Sequence, residues 1–447
     1  MIYCINYKRS NQTFSVETSL STLFFREETM KKLLIAVLCL MLTGCAAPAP
    51  SDGSGPDRSV SPDIPAPSPA ASSAPNGESG PPQASPETDP ETAENPSASQ
   101  EPSESSLGPQ NQEQIIQELL SAMTLEEKVG QMFFVRCPET GGAELAAQYK
   151  VGGYLLFGRD FKDKTAQQVR DDIQSYQDAS GIPLLIGTDE EGGTVVRASS
   201  NPDLFPQREP APQTLFAQGG MDLILQDARQ KSMTLLDLGV NVNFAPVADV
   251  STDPADCIYA RSFGQDAQAT ANYVAQVVGV MGEEQIGSVL KHFPGYGNNV
   301  DTHTGIALDQ RPYETFQTSD FLPFQAGIQA GADAVLVSHN IAASMDESLP
   351  ASLSPTVHKI LREELGFDGV VLTDDLAMDA VMEYAQNGSA AVLAIQAGND
   401  MVVTTDFQTQ IPQVIHAVQS GVIAESQIDQ AVTRVLNWKY ELGLLGN

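Results

Sequence analysis

The chain predicts an α/β protein, a (β/α)8 barrel of the TIM type, as one catalytic domain behind a disordered N-terminal tether. Two observations predict it. From Gln114 onward, apolar runs ending in Gly or polar residues alternate with segments of helical period, and eight such β-then-α units fit into the rest of the chain. A doubly wound open sheet shares the alternation, but it usually carries a Gly-rich phosphate turn after its first strand. Here that place is taken by Arg136-Cys137-Pro138-Glu139.

The segments ahead of the barrel are read in order. Met1–Thr29 has the marks of an overextended start, since Met30-Lys31-Lys32 is a natural beginning for a signal. Residues Met30–Cys45 form that signal: a basic start, an apolar run from Leu33 to Leu42, then Thr43-Gly44-Cys45. The run is shorter than the ~20 residues a spanning helix needs. It is similar to a bacterial lipoprotein signal, with lipidation expected at Cys45. The protein is therefore expected to be exported, extracytoplasmic and attached to a membrane only through that lipid. Ala46–Gln112 is rich in Pro, Ser, Ala, Glu and Gly, buries too little apolar surface to fold, and reads as an extended linker. The barrel is assigned to 113–447.

Within the barrel the strand candidates are Met132–Arg136, Gly153–Phe157, Leu184–Asp189, Val242–Val247, Ser288–His292, Ala334–Ser338, Gly369–Thr373 and Asp400–Thr404. Helices are expected at Thr165–Ala179, Asp222–Leu238, Ala267–Glu284, Thr315–Ala330, Ser354–Glu364, Ala385–Ala397 and Ser426–Glu441. Cys137 and Cys257 lie within the barrel without metal-ligand spacing; one disulfide and two separate thiols both remain open.

A net charge of −33 over 447 residues argues against nucleic acid as a partner and against adhesion to anionic lipid by charge. No His/Cys/Asp set has zinc spacing and no phosphate-cradling loop stands out, so neither metal nor cofactor is expected. A monomer is expected.

A barrel gathers the ends of its strands on one face. Asp189, Glu190, Glu191 and Arg197 follow the third strand candidate, Arg261 the fourth, Lys291 and His292 end the fifth, His339 follows the sixth, and Asp374 and Asp375 the seventh. Acids, bases and cations on one rim suit a polyhydroxylated ligand. Each residue also has a bland reading: Asp374 as a helix cap, Asp189 in an ion pair with Arg197, Arg261 as a loop brace, His339 as a core histidine, Lys291 as a surface cation. Their coincidence at strand ends weighs against those readings. After the fifth strand candidate comes a Gly/Pro/Asn-rich run with Asp301 and His303 two residues apart. A carboxylate that close can fix the tautomer of an imidazole and favour its protonated form, which makes a proton donor near neutral pH.

Lys291-His292-Phe293-Pro294-Gly295 followed by Asp301-Thr302-His303 resembles the signature of glycoside hydrolase family 3, in its β-N-acetylglucosaminidase branch. Asp189–Gly193, Arg261-Ser262-Phe263, Phe367–Met378 and the Leu436–Leu445 segment agree with it. The resemblance implies Asp374 as nucleophile, His303 as general acid/base and Asp301 as its orienting partner. It further implies Asp189, Arg197, Arg261, Lys291 and His292 as the sugar-binding ring, with His339 and Met378 lining the pocket. Relatives with a Glu acid/base usually take it from a second domain; here the donor is expected from the barrel. Tyr296 and Thr194 stand where basic residues are common, which leaves contacts on the leaving-group side open. The implied activity is removal of terminal N-acetylglucosamine from cell-wall fragments or related aminosugar chains, with retention. A β-glucosidase or β-xylosidase, a phosphorylase, and an inactive sugar-binding lipoprotein are the alternatives.

Overall fold

The computed structural model describes residues 109–299, 307–378, 381, 384 and 389–446. Asp301, His303 and Cys45, together with the signal and most of the linker, lie outside them.

Eight parallel strands carry the fold: β1 (Phe133–Arg136), β2 (Gly153–Leu156), β3 (Leu185–Thr188), β4 (Val242–Asn243), β5 (Gly287–Phe293), β6 (Ala334–Val337), β7 (Val370–Thr373) and β8 (Val402–Thr404). They pair in sequence order, and β8 pairs with β1. A bridge from Leu372 to Met401 and a bond from the Thr373 N–H to the Met401 carbonyl (3.2 Å) close the ring. The expected barrel is borne out. Alternate residues point inward: Phe134, Leu155, Leu185, Val242, Val289, Leu336, Leu372 and Val403 form one buried cluster, and helices cover the outer faces. The floor is closed by the helix Glu425–Glu441, whose Trp438 and Val435 join that inner cluster.

The fourth strand is much shorter than Val242–Val247. The regular ladder ends at Asn243 because the Ala245 N–H turns back to the Asn243 carbonyl (2.8 Å); beyond it the cross-strand bonds are irregular, from the Phe244 N–H to the Thr188 carbonyl (2.8 Å) and from the Val289 N–H to the Ala245 carbonyl (2.9 Å), with a bridge between Val247 and Lys291. The helix expected at Asp222–Leu238 runs Pro212–Asp237, interrupted at Gly220, whose backbone is non-helical. Two other outer helices contain π turns, at Phe316–Asp320 and Ile360–Glu364. Helix Pro109–Ala122 starts inside the segment read as linker, and the Gln112 side chain donates to Asn437 Oδ1 at 3.1 Å. Cys137 is a buried free thiol, and the exposed Cys257 places Sγ 3.1 Å from the Asn299 carbonyl oxygen.

Candidate active site

The C-terminal ends of the strands surround a cleft of about 290 Å³, at the lower edge of the size range of small-molecule sites. Asp189, Arg197, Arg261, Lys291, His292, Asp374 and Met378 all line it. Seven residues from the ends of four different strands and the loops after them therefore share one pocket.

Its charged floor is built around Lys291. The side chain rises from β5, is nearly fully buried, and places Nζ 2.7 Å from Asp189 Oδ1 and 2.6 Å from Glu191 Oε1. Arg261 forks onto Glu191, with Nε 3.0 Å from Oε2 and Nη2 2.8 Å from Oε1. Arg197 Nη2 reaches Asp189 Oδ2 at 3.2 Å. Burial alone would raise the Glu191 carboxyl, but Lys291 and Arg261 outweigh it and hold it well below the usual range. Asp189 is lowered in the same way: Lys291 and Arg197 outweigh its burial. Both stay ionised and accept hydrogen bonds over the whole range near neutrality.

His292 is fixed from both sides. Its Nδ1–H donates to Asp249 Oδ2 (2.7 Å), so Nε2 carries the lone pair that accepts from Arg261 Nη2 (3.0 Å). Asp249, fully buried, also accepts the N–H of His292 (3.1 Å) and of Tyr296 (2.7 Å). This one carboxylate sets the ring's tautomer and the path of the chain beyond it.

Glu190 does a different job from its neighbours. Its Oε2 accepts the N–H groups of Arg197 (2.9 Å) and Ala198 (2.7 Å), and Oε1 accepts the Ser199 hydroxyl (2.5 Å). A buried acid thus caps a short 3-10 turn and fixes the backbone from which Arg197 reaches into the cleft. Arg136, at the end of β1, also lines the cleft; its guanidinium lies 4.3 Å over the Phe157 ring, and that of Arg197 lies 5.1 Å from the same ring. Asp249, Arg136 and Phe157 were not among the residues picked out from sequence. Arg136 and Phe157 ended strand candidates, so position carried a signal; Asp249 follows a strand candidate by two residues.

Asp374 and Asp375 leave β7 side by side. The Asp374 N–H donates to the Val337 carbonyl (2.9 Å), and Asp374 Oδ1 accepts from the Asp375 N–H (2.8 Å). Burial raises the Asp375 carboxyl, and the neighbouring Asp374 charge adds to it. His339 lies behind this turn and not along the cleft. It is fully buried, with Nδ1 2.7 Å from Ser352 Oγ and Nε2 3.0 Å from the Asp375 carbonyl. Its ring supports the Asp374–Asp375 backbone, which corrects the expectation that it lines the pocket.

A closed parallel barrel with a polar cleft at this end, floored by interlocked acids and bases, is the architecture of a barrel enzyme with its site at the C-terminal face. Residues 124–438 match the family described as "Glycosyl hydrolase family 3 N terminal domain", and the chain belongs to glycosyl hydrolase family 3. The expected resemblance is borne out. The chain is 35% identical over 318 residues to a protein of Stenotrophomonas maltophilia (strain R551-3) named Beta-hexosaminidase, covering 68% of this chain and 89% of that one. Among solved structures, a glycoside hydrolase family 3 beta-N-acetylglucosaminidase from Paenibacillus sp. str. FPU-7 superposes with a TM-score of 0.68 at 31% identity. That match covers 73% of this chain and 64% of the other, so the chain spans a little under two thirds of that protein. The Beta-N-acetylhexosaminidase from Beutenbergia cavernae DSM 12333 gives a TM-score of 0.63 at 29% identity, covering 70% of this chain and 98% of that one.

Proposed function

We propose that this enzyme is a retaining exo-β-N-acetylglucosaminidase that removes terminal N-acetylglucosamine from cell-wall fragments or related aminosugar chains. It acts outside the cytoplasm, held to a membrane by a lipid on Cys45. The observation that carries the reading is the placement of Asp374 on the wall of the same cleft as the Asp189–Lys291–Glu191–Arg261–His292 network. The network offers acceptors and donors to sugar hydroxyls, and Asp374 lines the space they enclose. The names of the relatives add the aminosugar specificity.

In this reading Asp374 attacks the anomeric carbon while His303, as imidazolium, gives its proton to the departing glycosidic oxygen. A covalent glycosyl ester forms and the alcohol leaves. Neutral His303 then takes a proton from water, the water oxygen attacks the anomeric carbon, and Asp374 departs as a carboxylate. Asp301 orients the ring and favours its charged form.

The test is turnover of a chromogenic N-acetyl-β-glucosaminide beside the matching glucoside, with and without phosphate, in wild-type and Asp374→Ala protein. We expect the N-acetylglucosaminide alone to be cleaved, no dependence on phosphate, and loss of turnover in the variant with azide restoring a glycosyl azide of inverted configuration. Preference for the glucoside, or a requirement for phosphate, would move the reading to the other specificities.

A further inference from the structure

The charges of the cleft divide unevenly. Four cations line it: Arg136, Arg197, Arg261 and Lys291. Three of them are engaged by the network. Lys291 bridges Asp189 and Glu191, Arg261 holds Glu191, and Arg197 reaches Asp189. Arg136 is the fourth. Among the described residues its side chain enters no ion pair and no hydrogen bond, and its Nε is buried without a partner. Burial raises the Asp375 carboxyl, and Arg136 is among the charges that work against that rise, yet the two groups form no ion pair. A half-buried cation without a partner costs free energy. An anionic group entering the cleft would recover it.

The order of the strands sets where this cation meets a ligand. Asp374 leaves β7, Asp189 follows β3, and Arg136 ends β1 on the arc between them. Lys291 and His292 end β5, across the ring. A sugar held by the network therefore turns its other edge toward Arg136. That guanidinium lies 4.3 Å over the Phe157 ring. The Arg197 guanidinium lies 5.1 Å from the same ring, and its Nε too is buried without a partner. An arginine resting on an aromatic face keeps its edge for a planar acceptor, and a carboxylate matches that edge with two parallel N–H bonds. The residues beside Arg136 that line the cleft from β2 and β8, Leu155 and Val403, are apolar, so neither competes for the fork.

We propose that Arg136 is a specificity-determining residue: resting on Phe157, with Arg197 beside the same ring, it receives a carboxylate carried by the substrate, so that acidic aminosugar chains are preferred to neutral ones. The inference rests on the reading of the cleft as an N-acetylglucosaminidase site. The carboxylate belongs either to the sugar in the cleft or to the group that leaves it; the same fork takes both.

The test measures kcat and KM of the full chain, as wild type, Arg136→Met and Arg136→Lys, on two aryl N-acetyl-β-glucosaminides, each as free acid and as methyl ester. One pair carries the carboxyl on the aryl leaving group, the other at C6 of the sugar. In at least one pair the wild-type KM should be lower for the acid than for its ester. In Arg136→Met the acid-to-ester ratio of kcat/KM for that pair should fall roughly 10- to 100-fold, through KM. Arg136→Lys should lie between, because it keeps the charge and loses the fork. The pair that responds places the carboxylate on the leaving group or on the sugar. A wild-type KM no lower for either acid, a ratio unchanged in Arg136→Met, or a fall carried by kcat alone would overturn the proposal. If Arg136→Met fails to fold, the wild-type KM values and Arg136→Lys decide by the same criterion. If wild type cleaves none of the four compounds but does cleave an aryl β-glucoside, the aminosugar reading fails and this proposal with it. Turnover of the esters without preference for either acid sinks the proposal alone.

Discussion

Lys439 offers a measurable test of how the barrel floor is held. It sits on the closing helix Glu425–Glu441 beside Trp438, is fully buried, and donates from Nζ to Gln131 Oε1 at 2.5 Å. Burial is the sole cause that pushes its ammonium down from 10.5 to about 7. The folded protein therefore favours neutral Lys439, while the unfolded chain keeps it charged up to the ordinary lysine range. Its contribution to stability is full above that range and is lost as pH falls from about 10.5 toward 7. At about 1.4 kcal/mol per pH unit, the penalty at pH 7 is on the order of 4 kcal/mol. Lys439→Met removes the charge at similar volume, but leaves Gln131 Oε1 without this donor, which costs about 1–2 kcal/mol. The variant should therefore be more stable than wild type by roughly 2–3 kcal/mol at pH 7. The advantage should vanish between about pH 9 and 10, where the remaining wild-type penalty falls to the cost of the unpaired Gln131 Oε1, and the variant should be the less stable above that. Urea unfolding from pH 6 to 10 measures both numbers. A variant destabilised at pH 7, or a wild-type slope between pH 7 and 10 no steeper than the variant's, would refute the reasoning.

Two further outcomes are expected. Glu191→Gln leaves Lys291 and Arg261 with one buried anion fewer, so it should cost roughly 3–5 kcal/mol in denaturant unfolding and raise KM; a change below about 1 kcal/mol would show that the three groups are not coupled. Cys45→Ser should move the protein from the membrane fraction to the soluble fraction with specific activity intact, and continued retention would remove the lipid anchor from the reading.

The barrel was legible because its strands obey a simple rule. Each is a short, wholly buried run, so it appears in the chain as an uninterrupted apolar block ending in a polar residue. Seven of the eight blocks fall within a residue or two of the strands. The exception, at Val242, shows what the rule omits: an apolar run does not say where an N–H, here that of Ala245, will turn back to its own strand. Helix ends were legible where a cap wrote them, as at Thr165 with Gln168, and illegible where the chain continues through Gly220 or tightens into a π turn.

The site divides along the same line. Residues that project from strand ends into the cleft announce themselves, because a lysine or aspartate directly after an apolar block has no structural excuse. Residues that act through another group do not. His339 looks like a rim histidine in the chain, yet its ring turns inward to hold the Asp375 carbonyl. Glu190 stands between Asp189 and Glu191 in one acidic run; alternation sends its neighbours to the cleft and Glu190 itself to the backbone of the Arg197 turn. Asp249 is nothing in the chain but an acid after Ala248, and becomes the group that fixes His292 only when β4 and β5 lie side by side. What sequence conveys is the set of side chains a ligand would meet. What it withholds is the shell that aims them, because that shell is defined by contacts between strands that are distant in the chain.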